Sequence, residues 1–196
     1  MPPARYNARE VARRVGRLTD EYDEVTVVTE REEPDREFAE LRRHAEDGYI
    51  GGAYCWTTRH DERGSECRDA DTGDDRRRVL LGMGRDRDSW CPPGGGLEGY
   101  DPADPGSGET FEETAIRRVR EETGIECRLT ECVFVHWAVV EDPSSEDEVH
   151  MAYVVFDATY RDGSVAIEPA ELNGAAWFAD LPPNLHYFAQ RRAAGW

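Results

Sequence analysis

The residues of this chain whose types and spacing can do chemistry are concentrated between Trp90 and Ile125. There Gly94, Gly95 and Gly96 precede Glu98, Glu109 and the run Arg117, Arg118, Val119, Arg120, Glu121, Glu122. Three glycines after Pro92 and Pro93 permit a sharp turn and let backbone approach a ligand without Cβ interference. Thr110 suits the cap of a helix, Glu112 and Glu113 fall in its acid-favouring first turn, and Gly124 suits its stop. Glu121 and Glu122 then lie at the negative end of the helix dipole, where two like charges call for a cation. One source is local: Arg117 precedes Glu121 by four residues and Arg118 precedes Glu122 by four, giving surface ion pairs worth about 0.3–0.5 kcal/mol each. The other is a divalent cation such as Mg2+, which binds through a few carboxylates together with substrate phosphates.

Gly94 and Gly95, Glu98, Gly108 and Glu109, Arg117, Val119, Glu121 and Glu122, and Gly124 with Ile125 together form a pattern that resembles the Nudix (MutT-like) box. Similarity continues outside it, in Arg78 to Gly84 leading to Trp90 and Pro93, and in Glu171 to Leu181 with Trp177 and Phe178. It spans roughly residues 49 to 183. The resemblance implies a metal-dependent hydrolase that cleaves the diphosphate of a nucleoside diphosphate linked to another group, with Mg2+ or Mn2+ as cofactor. It also implies Glu121 and Glu122 as metal ligands, Glu109 as a further ligand or orienting carboxylate, and Arg117 as the residue that holds the glutamates. The metal would neutralise the diphosphate and acidify a bound water.

Two departures from the pattern stand out. Eight extra residues, Tyr100 to Ser107, separate the glycine turn from the helix, either as a lid or selector at the mouth of the site or as an insertion that loop entropy tolerates. Arg118 occupies the position where the family carries a glutamate that ligates metal and in some members acts as base. The general base then falls to Glu98, Glu112, Glu113, or the loop residues Glu141, Asp142, Glu146, Asp147 and Glu148. Arg118 also opens a second reading, a nucleotide-binding or sensing protein impaired in catalysis, in which its guanidinium, with Gly94 and Gly95, contacts the diphosphate directly.

These residues need a scaffold, and the pattern of apolar positions supplies one. Val11, Val15 and Leu18 define an amphipathic helix over 8 to 18, Glu24 to Thr29 reads as a strand, and a helix with Pro34 in its first turn, the stripe Phe38, Leu41, Ala45 and Gly48 as cap follows. These 48 residues form an extension that packs on a domain at 49–196 or completes a homodimer. Strands are expected at Tyr49 to Thr58 and Arg78 to Gly84, paired as a hairpin around the charged loop Asp61 to Asp75. A helix follows at 109 to 123, then strands at 127 to 140 and 149 to 160, and a short one from Ala175 to Phe178. Elements of this kind make an α+β protein, and the Nudix resemblance implies a mixed β-sheet sandwiched between helices.

Composition limits the partners. The chain has 196 residues, 42 acidic against 24 basic, and a net charge of -18, with arginine as its sole strongly basic residue. Such a balance excludes a duplex nucleic-acid partner. It fits either a basic partner or a halophilic source, where salt at about 1 M screens charge within roughly 3 Å. Any phosphate-bearing substrate then needs a local positive centre. No apolar run is long enough for a membrane span or signal peptide, so a cytoplasmic protein is expected. Five cysteines form no CxxC pair; His60 and Cys67 are two zinc-ligand types short of a full set. Trp56, Trp90, Trp137 and Tyr153 serve either to stack a base or as core.

Overall fold

The computed structural model describes residues 3–60, 77–85 and 87–194. Cys67, and with it the zinc reading and the Asp61–Asp75 loop, lies outside the described residues. In chain order the elements are β1 (Arg5–Tyr6), α1 (Ala8–Glu21), β2 (Thr26–Glu32), α2 (Phe38–Glu46), β3 (Gly51–His60), β4 (Arg77–Gly84), β5 (Trp90–Cys91), β6 (Gly94–Gly96), α3 (Phe111–Thr123), β7 (Ile125–Glu141), β8 (Glu148–Gly163), β9 (Leu172–Phe178) and α4 (Tyr187–Ala193).

One mixed sheet carries them all. Its main order is β2-β7-β8-β3-β4-β5, with β1 on β8, β6 on β3 and β9 on β4. The pairs β2–β7 and β3–β8 run parallel, while β7–β8 and β3–β4 are antiparallel. The expected hairpin between β3 and β4 is present, closing at His60 opposite Arg77.

Alternation along the strands decides which helix lies on which face. Ala152, Val154, Phe156 and Ala158 of β8, Ala53 and Cys55 of β3 and Leu80 of β4 point to one side, where Val11, Val15 and Leu18 of α1 and Phe111, Ala115 and Val119 of α3 complete the main core. Their neighbours point to the other side. There Val149 and Met151 meet Phe38 and Leu41 of α2, Val155 and Tyr54 meet Phe188 of α4, and Trp56, Val79 and Leu81 meet Ala189. The sheet is therefore sandwiched between helices, as an α+β chain with this pattern should be. The first 48 residues share its core through α1 and its edge through β2.

One local expectation needs correction, and one alternative is decided. Pro34 lies ahead of α2, which starts at Phe38, because the helix forms where Phe38, Leu41 and Ala45 reach the sheet. Among the proposed stacking aromatics, Trp56 is fully buried, Trp90 packs edge-on against Phe178 with centroids 4.7 Å apart, and Trp137 donates to His150 at 3.0 Å. These three belong to packing.

Candidate active site

Helix α3 presents the functional residues. Thr110 accepts from the Glu113 backbone N–H at 3.2 Å while the Glu113 carboxylate accepts from the Thr110 N–H at 2.9 Å, a closed capping box. Gly124 ends the helix with φ at 71°, a conformation glycine adopts without strain. The carbonyls left open there are met from outside, since Ala166 N–H donates to Thr123 at 2.8 Å and Glu168 N–H to Glu122 at 3.1 Å. The segment after β8 is thereby tied to the end of the helix.

The insertion leaves the box intact. Glu109 N–H donates to the Glu98 carbonyl at 2.9 Å, and a Cβ built on Gly99 would lie 3.5 Å from the Gly108 Cα, so the chain departs and returns at one point. Tyr100 is covered by Arg14 at 5.4 Å, and Pro102 and Pro105 line a groove with Arg9 and Arg13 of α1. Tyr100 to Ser107 therefore lean on α1 and contribute nothing to the cavity described next. Helix α1 braces the box as well: Arg14 donates to the carbonyls of Glu109 at 2.5 Å and Ser107 at 2.6 Å, and Arg17 pairs with Glu112 at 2.6 Å.

Arg117 organises one flank. Its Nε and Nη2 grip Glu109 at 2.6 and 2.7 Å, and its Nη1 reaches Glu121 at 2.8 Å and Glu98 at 3.1 Å. Glu109 also accepts from Thr114 Oγ1 at 2.9 Å and the Glu98 N–H at 3.0 Å. With the Arg117 guanidinium as the largest influence, its carboxyl is held down at about 2. Both of its oxygens are committed to the framework.

Glu122 is different. It is only 6% exposed, and among the described residues its carboxylate has one hydrogen bond, from the Gly94 N–H at 3.3 Å. Burial pushes its carboxyl up to about 7, with Glu171 and Glu121 adding repulsion and Arg118 partly offsetting it. It faces a cavity of about 320 Å³ whose wall includes Tyr54, Arg85, Arg87, Gly94 and Glu171. Glu121, 52% exposed, points instead to the open depression beside Arg117. Adjacent glutamates thus serve opposite flanks.

Arg118 lies beneath the glycine turn. A Cβ on Gly95 would stand 2.8 Å from Arg118 Nε, so only glycine lets the guanidinium pass under the turn. Nε itself is buried without a hydrogen-bond partner among the described residues, and Nη2 is 3.8 Å from Glu98. A buried orphan donor invites an anion.

The three glutamates expected as metal ligands do not form a preassembled cage. Among the described residues, the set of three or more ligand atoms lying within 4.8 Å of one another is Glu30, Glu32 and His136, elsewhere in the fold. Glu122 nonetheless fits a divalent cation: it is a buried, hydrogen-bond-poor carboxylate whose proton a cation would displace, with Glu171 on the same cavity wall. Of the candidate bases, Glu112 is taken by Arg17, Glu113 by the capping box, Asp142 by Ser144 and Ser145, and Glu148 by Arg31 and His150. Glu171, Arg85 and Arg87 were not singled out from the sequence. They sit in charged loops whose composition resembles any solvated surface, and only the fold brings them to Glu122.

The family model for the NUDIX domain matches residues 71–188. A comparison with curated proteins finds no match. Among solved structures, the chain is similar to a UDP-X diphosphatase at 21% identity over 77% of this chain and 64% of that one, with a TM-score of 0.40. It is also similar to a MutT NUDIX hydrolase from Burkholderia pseudomallei at 22% identity over 72% and 93% of the two chains, TM-score 0.42. A NUDIX-family hydrolase from Clostridium perfringens aligns at 16% identity over 74% and 94%, TM-score 0.46.

Proposed function

This chain belongs to the NUDIX domain family, and we propose from that premise that it hydrolyses the diphosphate of a nucleoside diphosphate linked to a second group. The observation that carries the reading is Glu122, a buried carboxylate with its proton affinity raised to about 7, walling a cavity that also holds Arg85, Arg87 and Glu171.

In this reading Arg85, Arg87 and Arg118 receive the diphosphate oxygens and reverse the sign of a chain carrying -18. The Gly94 N–H is spent on the Glu122 carboxylate, and Gly95, without a Cβ, leaves Arg118 its place under the turn. Glu122 would hold the divalent cation, Mg2+ or Mn2+, leaving Glu171 on the same wall free of it. Bound there, the cation supplies neutralisation of the phosphates and a water of lowered pKa. Glu171, exposed and outside the box, accepts the proton of the attacking water at its carboxylate. Glu109 and Arg117 keep α3 in register with the glycine turn, and Glu121 completes the grip on Arg117. The neighbouring Cys91 thiol, pushed up to about 12 by burial, stays protonated and is no nucleophile.

Turnover of a panel (ADP-ribose, sugar nucleotides, dinucleotides and nucleoside triphosphates) with Mg2+ or Mn2+ in KCl of about 1 M tests the proposal. Hydrolysis of a diphosphate-linked member, lost in Glu122→Gln, is expected. No turnover of any member would sink it.

One observation favours a second reading. The orphan Nε of Arg118 supports a protein that binds the diphosphate without metal and turns it over poorly or not at all. Calorimetric binding of the same panel in EDTA, without hydrolysis on later addition of metal, is the result that would select it.

A further inference from the structure

We infer that Glu30, Glu32 and His136 form a second metal site, for a divalent transition ion, that ties the edge strand β2 to β7. Glu30 and Glu32 are two residues apart on β2 and therefore share one face, and β2 runs parallel to β7 with Val28 opposite His136. The His136 Nε2 lies 2.8 Å from Glu32 Oε1 and 3.6 Å from Glu30 Oε2, and the three ligand atoms fall within 4.8 Å of one another.

The burial of the histidine distinguishes this group from an ordinary acidic patch. Its side chain is 9% exposed; among the described residues Nε2 hydrogen-bonds Glu32 alone, with Glu30 close by, and Nδ1 is buried without a partner. The ring is held instead by packing: Tyr187, Tyr153, Phe134 and Phe188 have centroids 5.5 to 6.4 Å away. Rigid rings do here what a hydrogen bond to the far nitrogen does in many metal sites, which is to fix the orientation of the imidazole. A neutral imidazole donates one Nε2 proton and satisfies one carboxylate. A divalent ion satisfies both and cancels their charge.

Ligand chemistry selects the ion. One imidazole nitrogen and two carboxylates suit Mn2+, Co2+ or Zn2+ better than Mg2+ or Ca2+, which prefer oxygen alone. Three protein ligands leave the remaining positions to water, since Glu30 and Glu32 are 42% and 40% exposed. The competitor already present is Arg191, whose Nη2 is 3.5 Å from Glu30 Oε1.

The test is a Co2+ titration of the full chain carrying Glu122→Gln, so that the box contributes no buried ligand, read by visible absorption and calorimetry. We expect one Co2+ per chain with a nitrogen-containing spectrum and a Tm rise of about 5–10 °C at 100 times Kd. Adding Glu30→Gln and Glu32→Gln, at exposed positions that leave the core untouched, should weaken binding at least tenfold and abolish the Tm rise, as estimated from losing two of three ligands. Arg191→Gln should strengthen it. Uptake unchanged by the two glutamine substitutions, or no uptake at about 1 mM Co2+, overturns the inference. The latter outcome leaves His136 as a histidine hydrogen-bonded to Glu32. Neither result bears on the box, whose hydrolysis is read separately in the parent chain.

Discussion

Arg117 and Glu109, eight residues apart, are joined by two parallel hydrogen bonds of 2.6 and 2.7 Å. This fork couples the residue just ahead of the box helix to the helix's middle turn. Glu109→Gln or Arg117→Gln each leaves a polar partner unmatched and should lower unfolding free energy by about 2–3 kcal/mol. The double variant should lose less than the sum, as a urea double-mutant cycle will read. Additive losses would show that the two act separately. Because the Glu109 carboxyl is lowered from 4.5 to about 2, its contribution is present above pH 4.5 and disappears as pH falls toward 2.

Glu122 should behave in the opposite sense. Its folded-state pKa is raised from 4.5 to about 7, so the native state holds the proton more tightly than the unfolded chain. Its stabilising contribution is complete below pH 4.5 and is lost as pH rises through 7. At 1.36 kcal/mol per unit the strain above pH 8 is at most about 3 kcal/mol. Glu122→Gln should therefore melt higher than the parent at pH 8 without divalent ions, match it near pH 4, and lose at least about 100-fold in turnover, in line with removal of a metal ligand. Parallel pH–Tm curves for the two proteins would contradict the argument.

Arg118 supplies charge where the family pattern carries a carboxylate. Arg118→Ala should weaken ADP-ribose binding in EDTA about 10- to 100-fold by calorimetry, the scale of a charge-assisted contact of 1.5–3 kcal/mol. Arg118→Glu should lower the Mn2+ concentration needed for half-maximal turnover. If neither value moves, the guanidinium is a packing element.

Two neighbouring glycines should fail differently. A Cβ on Gly94 would sit 2.3 Å from the Ala53 carbonyl, which is strand backbone and cannot yield, so Gly94→Ala should cost roughly 3 kcal/mol or more in stability through overpacking and a broken strand pair. A Cβ on Gly95 meets a side chain, Arg118. Gly95→Ala should keep most of the Tm and raise KM about tenfold by displacing that side chain. Thermal melts beside steady-state kinetics separate the two cases.

Glu171→Gln should reduce kcat by about 100-fold or more with little change in KM, the range for a general base. It should also flatten the acid limb of the pH–rate profile. Retained turnover with the acid limb intact would assign the base elsewhere.

The sequence made α3 legible because its signals are local: Thr110 and Glu113 close the cap, Ala115 and Val119 mark the buried stripe, and Gly124 stops the chain. Pairing in the sheet was less legible. Nothing near Val28 says that it will lie beside His136, since parallel neighbours are chosen by the whole core. The site was legible on one wall. Glu122 and the glycine turn belong to a motif, whereas Arg85, Arg87 and Glu171 arrive from segments whose charge is indistinguishable from a solvated surface. The separation of Glu121 from Glu122 was hidden for a simpler reason, because adjacent helical residues point about 100° apart and burial alone decides which one meets the cavity.

The pairing of β2 with β7 has a consequence in time. Thr26 waits for Phe134, and Arg5 for Glu148, before either strand finds its neighbour. During synthesis the first two strands leave the ribosome long before anything exists to receive them, and α1, whose Arg14 and Arg17 brace the box helix, emerges with its apolar stripe bare. Long-range parallel pairing of this kind closes slowly. The segment from Arg5 to Glu46 is thus exposed to aggregation while it waits, and the site becomes complete only once Glu171 has been made.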